Sequence, residues 1–481
     1  MKKTTKYLAA VPIMGAVILM GLTNCTKHDQ VLDLSTATTP TPVLNTDTLN
    51  VVRGTATLAS QGDNAARWDG TIEAVWNSAP KLTVHATVPD LGNNTFTGFV
   101  GNSTDISLRA MYDATNLYML VEFTTPQHNA MSAQWYFNPL QTDMTKRWAQ
   151  EATASSLTNL SPDGSYRPPF AQDQFVILWN IAHSCQTFDA LSCYAACHVA
   201  STYGGTVAAD GGIMYTNGPN ERLDVWRGRM LQVCNTNQLN DCFIDDGSSI
   251  SYGESGALNK NEVHGDWQLL NGPSASIPVQ YQSAGKLVSS PGATRVYAAD
   301  GGFSNKQTMP ISNKPSKKAN IPIWVIPAAL GTNPYNTASR SSAIMLSDTL
   351  AGGLAKKVVA VDSFGVLTLS DATTIDPRNA ASSFYYQQIG AIDGANCIPG
   401  SIIGTYTGSR GDVTANAAYV GSGWRMLLSR KLSNGPSGTN DAVNDVDFST
   451  LEDMPFGCGA MINRADNQHA IVAGLHMHFK K

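Results

Sequence analysis

The chain has 481 residues, a formal net charge of −5 and a pI near 6.0. That mild acidity argues against a nucleic-acid-binding surface. Length alone would admit two or three domains, but no internal repeat or second linker divides the chain, and large all-β folds often run long as one domain.

In chain order, Lys2, Lys3 and Lys6 form a positive start, and an apolar stretch runs from about Leu8 to Leu22. It is shorter than the roughly 20 apolar residues of a spanning helix, and it reads as an export signal over residues 1–24. It ends Leu22-Thr23-Asn24-Cys25, which resembles a bacterial lipobox and makes Cys25 the expected lipidation site. The Thr-, Pro- and Asp-rich residues 25–52 read as a flexible tether, and residues 53–481 as the folded body. No later stretch is long and apolar enough to span a membrane. The expected location is the cell envelope, periplasm or outer membrane, with the membrane reached through the lipid.

The body reads as strands. Residues 116–124, 173–181, 321–327, 356–370 and 423–432 are short apolar runs bounded by turn residues. The SFG within 356–370 marks a hairpin turn. Near the C-terminus, Arg464 to Gln468 separates two more strands. Side chains alternate along the last one, so His469, Ile471, Ala473, Leu475, Met477 and Phe479 share the core face, while His476 and His478 point outward. The expected fold is all-β, an antiparallel β-sandwich, with long loop insertions around residues 128–170, 199–320 and 328–350.

The stretch LSCYAACHVA carries the chemistry. Cys193 and Cys197 are three residues apart and His198 follows at once. Two thiols for thioethers and an adjacent imidazole for iron are the groups a c-type haem needs, one residue wider than the usual spacing. Two alternatives stay open. Cys185, Cys193, Cys197 and His198 could form a zinc site, or Cys193 and Cys197 a disulfide. A Cys234–Cys242 disulfide is plausible across their short loop, and Cys397 with Cys458 is a further possible pair. Downstream, Met214 lies in a Gly-rich stretch and is the best methionine for the other side of an iron. Met230, Met131 and Met111 are weaker rivals, and Trp226 and Tyr215 could pack on a porphyrin.

These segments together resemble the haem-binding domain shared by the gamma subunits of ethylbenzene dehydrogenase and related type II dimethyl sulfoxide reductase family enzymes, and by cytochrome c-552-like proteins. ARWDGTIEAVWNSAPKLTV looks like that domain's first strand. DQFVILWNI, SCYAACHVA and IMYTNGPNERLDVW follow in the family's order, and the segments from Ile398 and from Phe456 look like its closing strands. The resemblance implies a β-sandwich, thioether attachment at Cys193 and Cys197, His198 as the proximal ligand and Met214 as the distal one. The gamma subunits proper bind haem b inside complexes with molybdenum and iron–sulfur subunits. The motif and the lipobox favour a tethered c-type cytochrome for electron transfer instead, not itself an enzyme, with an unidentified redox partner such as a molybdoenzyme or another cytochrome. The alternatives are a haem b subunit of a molybdenum complex, or a haem-free lipoprotein similar to carbohydrate-binding modules.

A hydrolase finds little support. There is no G-x-S-x-G and no H-E-x-x-H, and DGSS at 246–249 and SRGD at 409–412 read as turns. Glu73, Asp224, Asp445 and Asp447 are scattered carboxylates that sequence cannot pair.

Overall fold

Short apolar runs flanked by Gly, Asn, Asp and Pro become strands throughout. The computed structural model describes residues 47–63, 65–90, 99–125, 130, 134–138, 141–150, 172–192, 202–203, 206–207, 216, 221–244, 264–265, 268–269, 278–279, 302–327, 343–378, 398–406, 409–433, 445–462 and 469–481. The main strands are β1 Thr48–Arg53, β2 Leu82–Thr87, β3 Ser103–Tyr112, β4 Asn116–Thr124, β5 Gln174–Asn180, β6 Leu223–Arg229, β7 Asn240–Ile244 and β8 His264–Gly265. A second group follows, with β9 Gln307–Ile311, β10 Lys314–Ile321, β11 Trp324–Val325, β12 Lys356–Val361, β13 Leu367–Leu369 and β14 Thr374–Ile375. The chain then forms β15 Thr414–Tyr419, β16 Gly423–Lys431, β17 Met454–Met461 and β18 His469–Phe479. Two short helices matter below, α1 Phe188–Leu191 and α2 Met230–Thr236.

The protein is all-β in class. Its large sheet runs β8-β7-β6-β5-β17-β18-β1-β3-β4-β16-β15, with β2 set against β18 and β3. Most neighbours are antiparallel, but β1 runs parallel to both β18 and β3. The layers over the core are two arms of this one continuous sheet. Phe123 of β4 stacks on Phe175 of β5 at 6.0 Å between ring centroids. Trp424 of β16 donates its indole N–H to Asp173 Oδ2 beside β5, at 2.7 Å. A single apolar cluster therefore joins Leu49, Val121, Ile177, Trp226, Met426 and Val472 from strands of both arms.

Strand β5 shows why some strands do not alternate in sequence. All of QFVILWN is buried. Ile177 and Trp179 belong to the inner core, and Val176 and Leu178 to a second cluster on the outer face. A strand covered on both faces reads as a continuous apolar run.

Several expectations change. Residues 48–52 are core strand and not tether, with Leu49 and Val51 fully buried. Within 66–84, Ala74–Ser78 forms a 3-10 turn, and the strand begins only at Leu82. The run 321–327 holds the last residue of β10 and then β11, because Pro322 has no N–H for a ladder and separates the two strands. The stretch 199–320 is more than loop. It supplies β6, α2 and β7 to the main fold, and β9 and β10 to a smaller sheet ordered β10-β9-β12-β13-β14, with β11 on β12. That sheet has its own core, including Trp135, Ile311, Ile321, Val358 and Leu367. Within 328–350, Ile344–Met345 is a strand and Leu346–Thr349 a 3-10 turn. The expected hairpin at 356–370 forms as β12 and β13, closed by Gly365 N–H to Asp362 O at 3.0 Å. The turn at Arg464 to Gln468 lies outside the described residues.

The most instructive change is in β18. Phe456 pairs with Leu475 but Cys458 with Val472, so β18 carries one extra residue, and Gly474 there has φ +74°. The bulge turns the side-chain alternation over. Beyond it, Leu475, Met477 and Phe479 join the inner core; before it, Ile471 and Ala473 join the outer cluster. His469 therefore stands on the outer face, not on the face of Leu475. His476 is partly exposed, and the exposed His478 bonds Asp453 at 2.7 Å.

Candidate functional site

The proposed haem residues Cys193, Cys197, His198 and Met214, and the proposed lipidation site Cys25, lie outside the described residues, as do Tyr215, Met131 and Cys397. The described chain stops at Ser192, one residue before Cys193, and its approach is closely determined. Strand β5 ends at Asn180, whose side chain accepts from Cys185 N–H at 3.0 Å and donates to Cys185 O at 2.8 Å. This clasp holds a reversal in which Ala182 and His183 both take positive φ. Helix α1 then crosses the outer face of β17 and β18. Ser192 closes it by donating its hydroxyl to Phe456 O at 3.1 Å and accepting Gly474 N–H at 2.9 Å.

The glycines here have a specific reason. A Cβ on Gly457 would stand 2.6 Å from Ser192 Cβ, so the close seat of Ser192 requires glycine. The free Gly474 N–H exists because the bulge interrupts the ladder. The ground around this seat is apolar: Val176, Leu178, Leu223, Val225, Ile471 and Ala473. Met461 lies in the same cluster, directly opposite His469 in the β17–β18 register.

The cysteines sort by face. Cys185 is fully buried in the outer cluster, and burial, then the nearby Glu221, pushes its thiol up to about 12. Its side chain packs among the apolar residues of this cluster. Cys234 belongs to the inner core and Cys242 to the outer cluster, and both are free thiols. The sheet stands between them, so the expected disulfide does not form. Cys458 is also free and buried in the inner core. Met230 and Trp226 point into the inner core and Met111 packs in a third cluster, all away from the ground beneath Ser192.

The inner face holds a different constellation. Asp224 on β6 and Asp445 lie together with Asp241 on β7, one carboxylate oxygen of each within 4.8 Å of the others. Arg430 of β16 reaches across the core to them, its Nη1 2.9 Å from Asp224 Oδ2 and its Nη2 donating to Val446 O at 3.0 Å. Asp445 and Asp412 lie at 3.8 and 3.6 Å, and the guanidinium packs over the Trp226 ring at 5.4 Å. Burial pushes the Asp224 carboxyl up to about 7, with Arg430 opposing and Asp445 reinforcing that rise. Beside it, buried Arg410 donates to Asn240 Oδ1 at 2.6 Å, so the SRGD turn is an internal brace. Sequence reading named Asp224 and Asp445 but could not pair them, and it missed Asp241 and Arg430. Glu73 and Asp447 stay apart, each accepting a backbone N–H, from Thr57 and Ser449. Arg430 already supplies a cation at the centre of the acidic group, which makes the cluster an ion-paired clamp between the two arms.

A wide depression of about 960 Å³ lies at the far end of β3 and β4, lined by Arg53, Tyr112, Asp113 and Lys431. Its carboxylate is committed: Asp113 accepts the Thr115 and Asn116 N–H groups and the Tyr118 hydroxyl.

Neither a protein-family model nor a curated protein sequence matches the chain. Among the described residues, no helix is long and apolar enough to cross a membrane.

Proposed function

We propose that the chain is an exported c-type cytochrome, tethered to the cell envelope through a lipid on Cys25, that carries electrons and does not itself transform a substrate. Cys193 and Cys197 would hold the haem covalently, His198 would ligate its iron, and Met214 would stand opposite. The carrying observation is the seat of Ser192: the Cys-x-x-x-Cys-His motif leaves a doubly hydrogen-bonded residue over an apolar sheet face. That ground suits a haem edge, because burial of the porphyrin favours apolar surroundings, and these hold its potential and exclude water. When bound, the haem supplies the one-electron chemistry. The protein's own part is to present the two thiols and the imidazole from a fixed point. Should Met214 not serve, His469 is the next ligand to test, because it stands on the same outer face as that ground.

The test is the protein matured in a c-type cytochrome system. A haem stain that survives a denaturing gel, and a pyridine haemochrome of the thioether type, are expected; Cys193→Ser with Cys197→Ser should abolish both. Haem lost to acid–acetone would instead indicate a haem b subunit. Absence of any Soret band, with heat on sugar titration, would support the carbohydrate-binding alternative. In the haem-bearing protein, Met214→Ala should remove a sulfur-to-iron charge-transfer band and lower the midpoint potential.

A further inference from the structure

Exposed large apolar side chains cluster along one stretch of the chain. Apart from Val100, those among the described residues are Leu350, Leu354, Val359 and Phe364, all on or beside β12. Leu350 and Leu354 are the most exposed, at 61% and 57%. They flank a built turn. Gly353 N–H donates to Leu350 O at 2.9 Å, Gly352 takes φ +82°, and a Cβ on Gly353 would collide with the Asp348 carbonyl. Ala355 N–H donates to the same Asp348 carbonyl at 2.9 Å, tying the turn down at its base. Two leucines are thus held out in water by a turn whose shape the glycines set, so little ordering remains to oppose an encounter.

Positive charge surrounds them. Lys356 and Lys357 follow Leu354 after Ala355, and Lys306 precedes β9 at the same end of the small sheet. Half-buried Trp324 stands opposite Lys357 in the β11–β12 register, on the same face. Along β10, Lys314, Lys317 and Lys318 are exposed as well. Among the described residues, none of these lysines makes an ion pair with a carboxylate. The carboxylates nearby include Asp348, buried under the turn, Asp63, which accepts the Ser347 and Thr405 N–H groups, Asp143 beside Lys317, and exposed Asp371, which faces Lys356 and is held low chiefly by Thr373. A chain with net charge −5 therefore presents a lysine field here.

Lysine is depleted in protein interfaces, and leucine is under-represented among their hot spots, so a protein partner fits this composition poorly. An anionic bilayer fits it well: leucines enter the acyl boundary, lysine stems lie along it with their ammonium groups at the phosphates, and tryptophan favours the headgroup level. We propose that the Leu350–Leu354 turn, with Lys306, Lys356 and Lys357, docks the folded body onto an anionic lipid surface. This inference does not depend on the haem reading.

Hydrogen exchange of the whole chain tests it locally, whatever the lipid anchor contributes. On phosphatidylglycerol vesicles, amides of residues 347–359 should exchange more slowly than on phosphatidylcholine vesicles, and the difference should vanish in about 1 M salt, where the screening length is only about 3 Å. Leu350→Ser with Leu354→Ser should abolish that protection while leaving the thermal midpoint in place, since both side chains are exposed. Lys356→Glu with Lys357→Glu should abolish the preference for the anionic lipid. Equal exchange on both vesicle types, or protection that survives the leucine substitutions, would overturn the proposal.

Discussion

The arm formed by β5, β6, β17 and β18 has two buried faces, and they solve burial differently. The inner face packs Trp179 against Trp226, Phe448 and Phe456 at 5.0–5.2 Å between centroids and holds the buried Arg430–Asp224 group. The outer face is aliphatic, with Val176, Leu178, Leu223 and Ile471, and is crossed by α1 and Ser192. Charge buried inside costs desolvation and is tolerated only when its partners are placed around it. The outer face instead seats Ser192, whose hydroxyl donates to Phe456 O and accepts from Gly474 N–H. The inner face thus holds the two arms together, and the outer face anchors the residue that precedes Cys193.

Substitutions on the inner face should have the largest effect on stability. Arg430→Met removes the cation from beside Asp224 and Asp445 and leaves carboxylates buried without it. An expected loss of about 3–5 kcal/mol, read by denaturant unfolding, separates a clamp from an incidental contact. A loss under about 1 kcal/mol would mean the two faces are held alike.

The pH dependence sharpens the same contrast. Burial pushes the Asp224 carboxyl up from an ordinary 3.8 to about 7 in the folded chain, against the pull of Arg430. The folded state then binds more protons than the unfolded state between those values, so this group's contribution is complete below about pH 4 and lost as pH rises towards 7. Asp224→Asn should flatten that part of the stability profile. An unchanged slope in unfolding experiments across this window would show that Asp224 is not the titrating group.

The smallest effect belongs to the outer face. Ser192→Ala removes one donated and one accepted hydrogen bond, at an expected cost of about 1–3 kcal/mol because Gly474 N–H and Phe456 O stay buried. If the proposed haem attachment holds, the sharper readout is covalent haem: yield should fall in Ser192→Ala, while Arg430→Met protein that still folds should retain it. Full haem incorporation in Ser192→Ala would break the link between the outer face and the motif.

Much of the architecture could be read in advance. NLYMLVEFT, DQFVILWNI and GWRMLLSRKL form strands β4, β5 and β16 close to their expected bounds, because apolar runs between turn residues have few other ways to bury themselves. The SFG turn formed for a local reason too, with the Asp362 carboxylate accepting the Phe364 and Val366 N–H groups. Of the candidate chemistry, sequence supplied the residue types Cys193, Cys197 and His198 and the lone carboxylates Asp224 and Asp445.

What sequence by itself determined, then, is the all-β class and the position of Cys-x-x-x-Cys-His along the chain, since both rest on local pattern. Tertiary structure alone decided the rest. The face of His469 depends on one extra residue in β18, invisible to a rule of strict alternation. The Cys234–Cys242 pairing, plausible from a short loop, fails because the intervening turn delivers the two thiols to opposite faces of one sheet. Arg430 meets Asp224 only because the sheet curls until β16 faces β6, a contact between residues 206 positions apart. Separation along the chain says nothing about such contacts, because packing of the whole sheet, and not local propensity, brings them together.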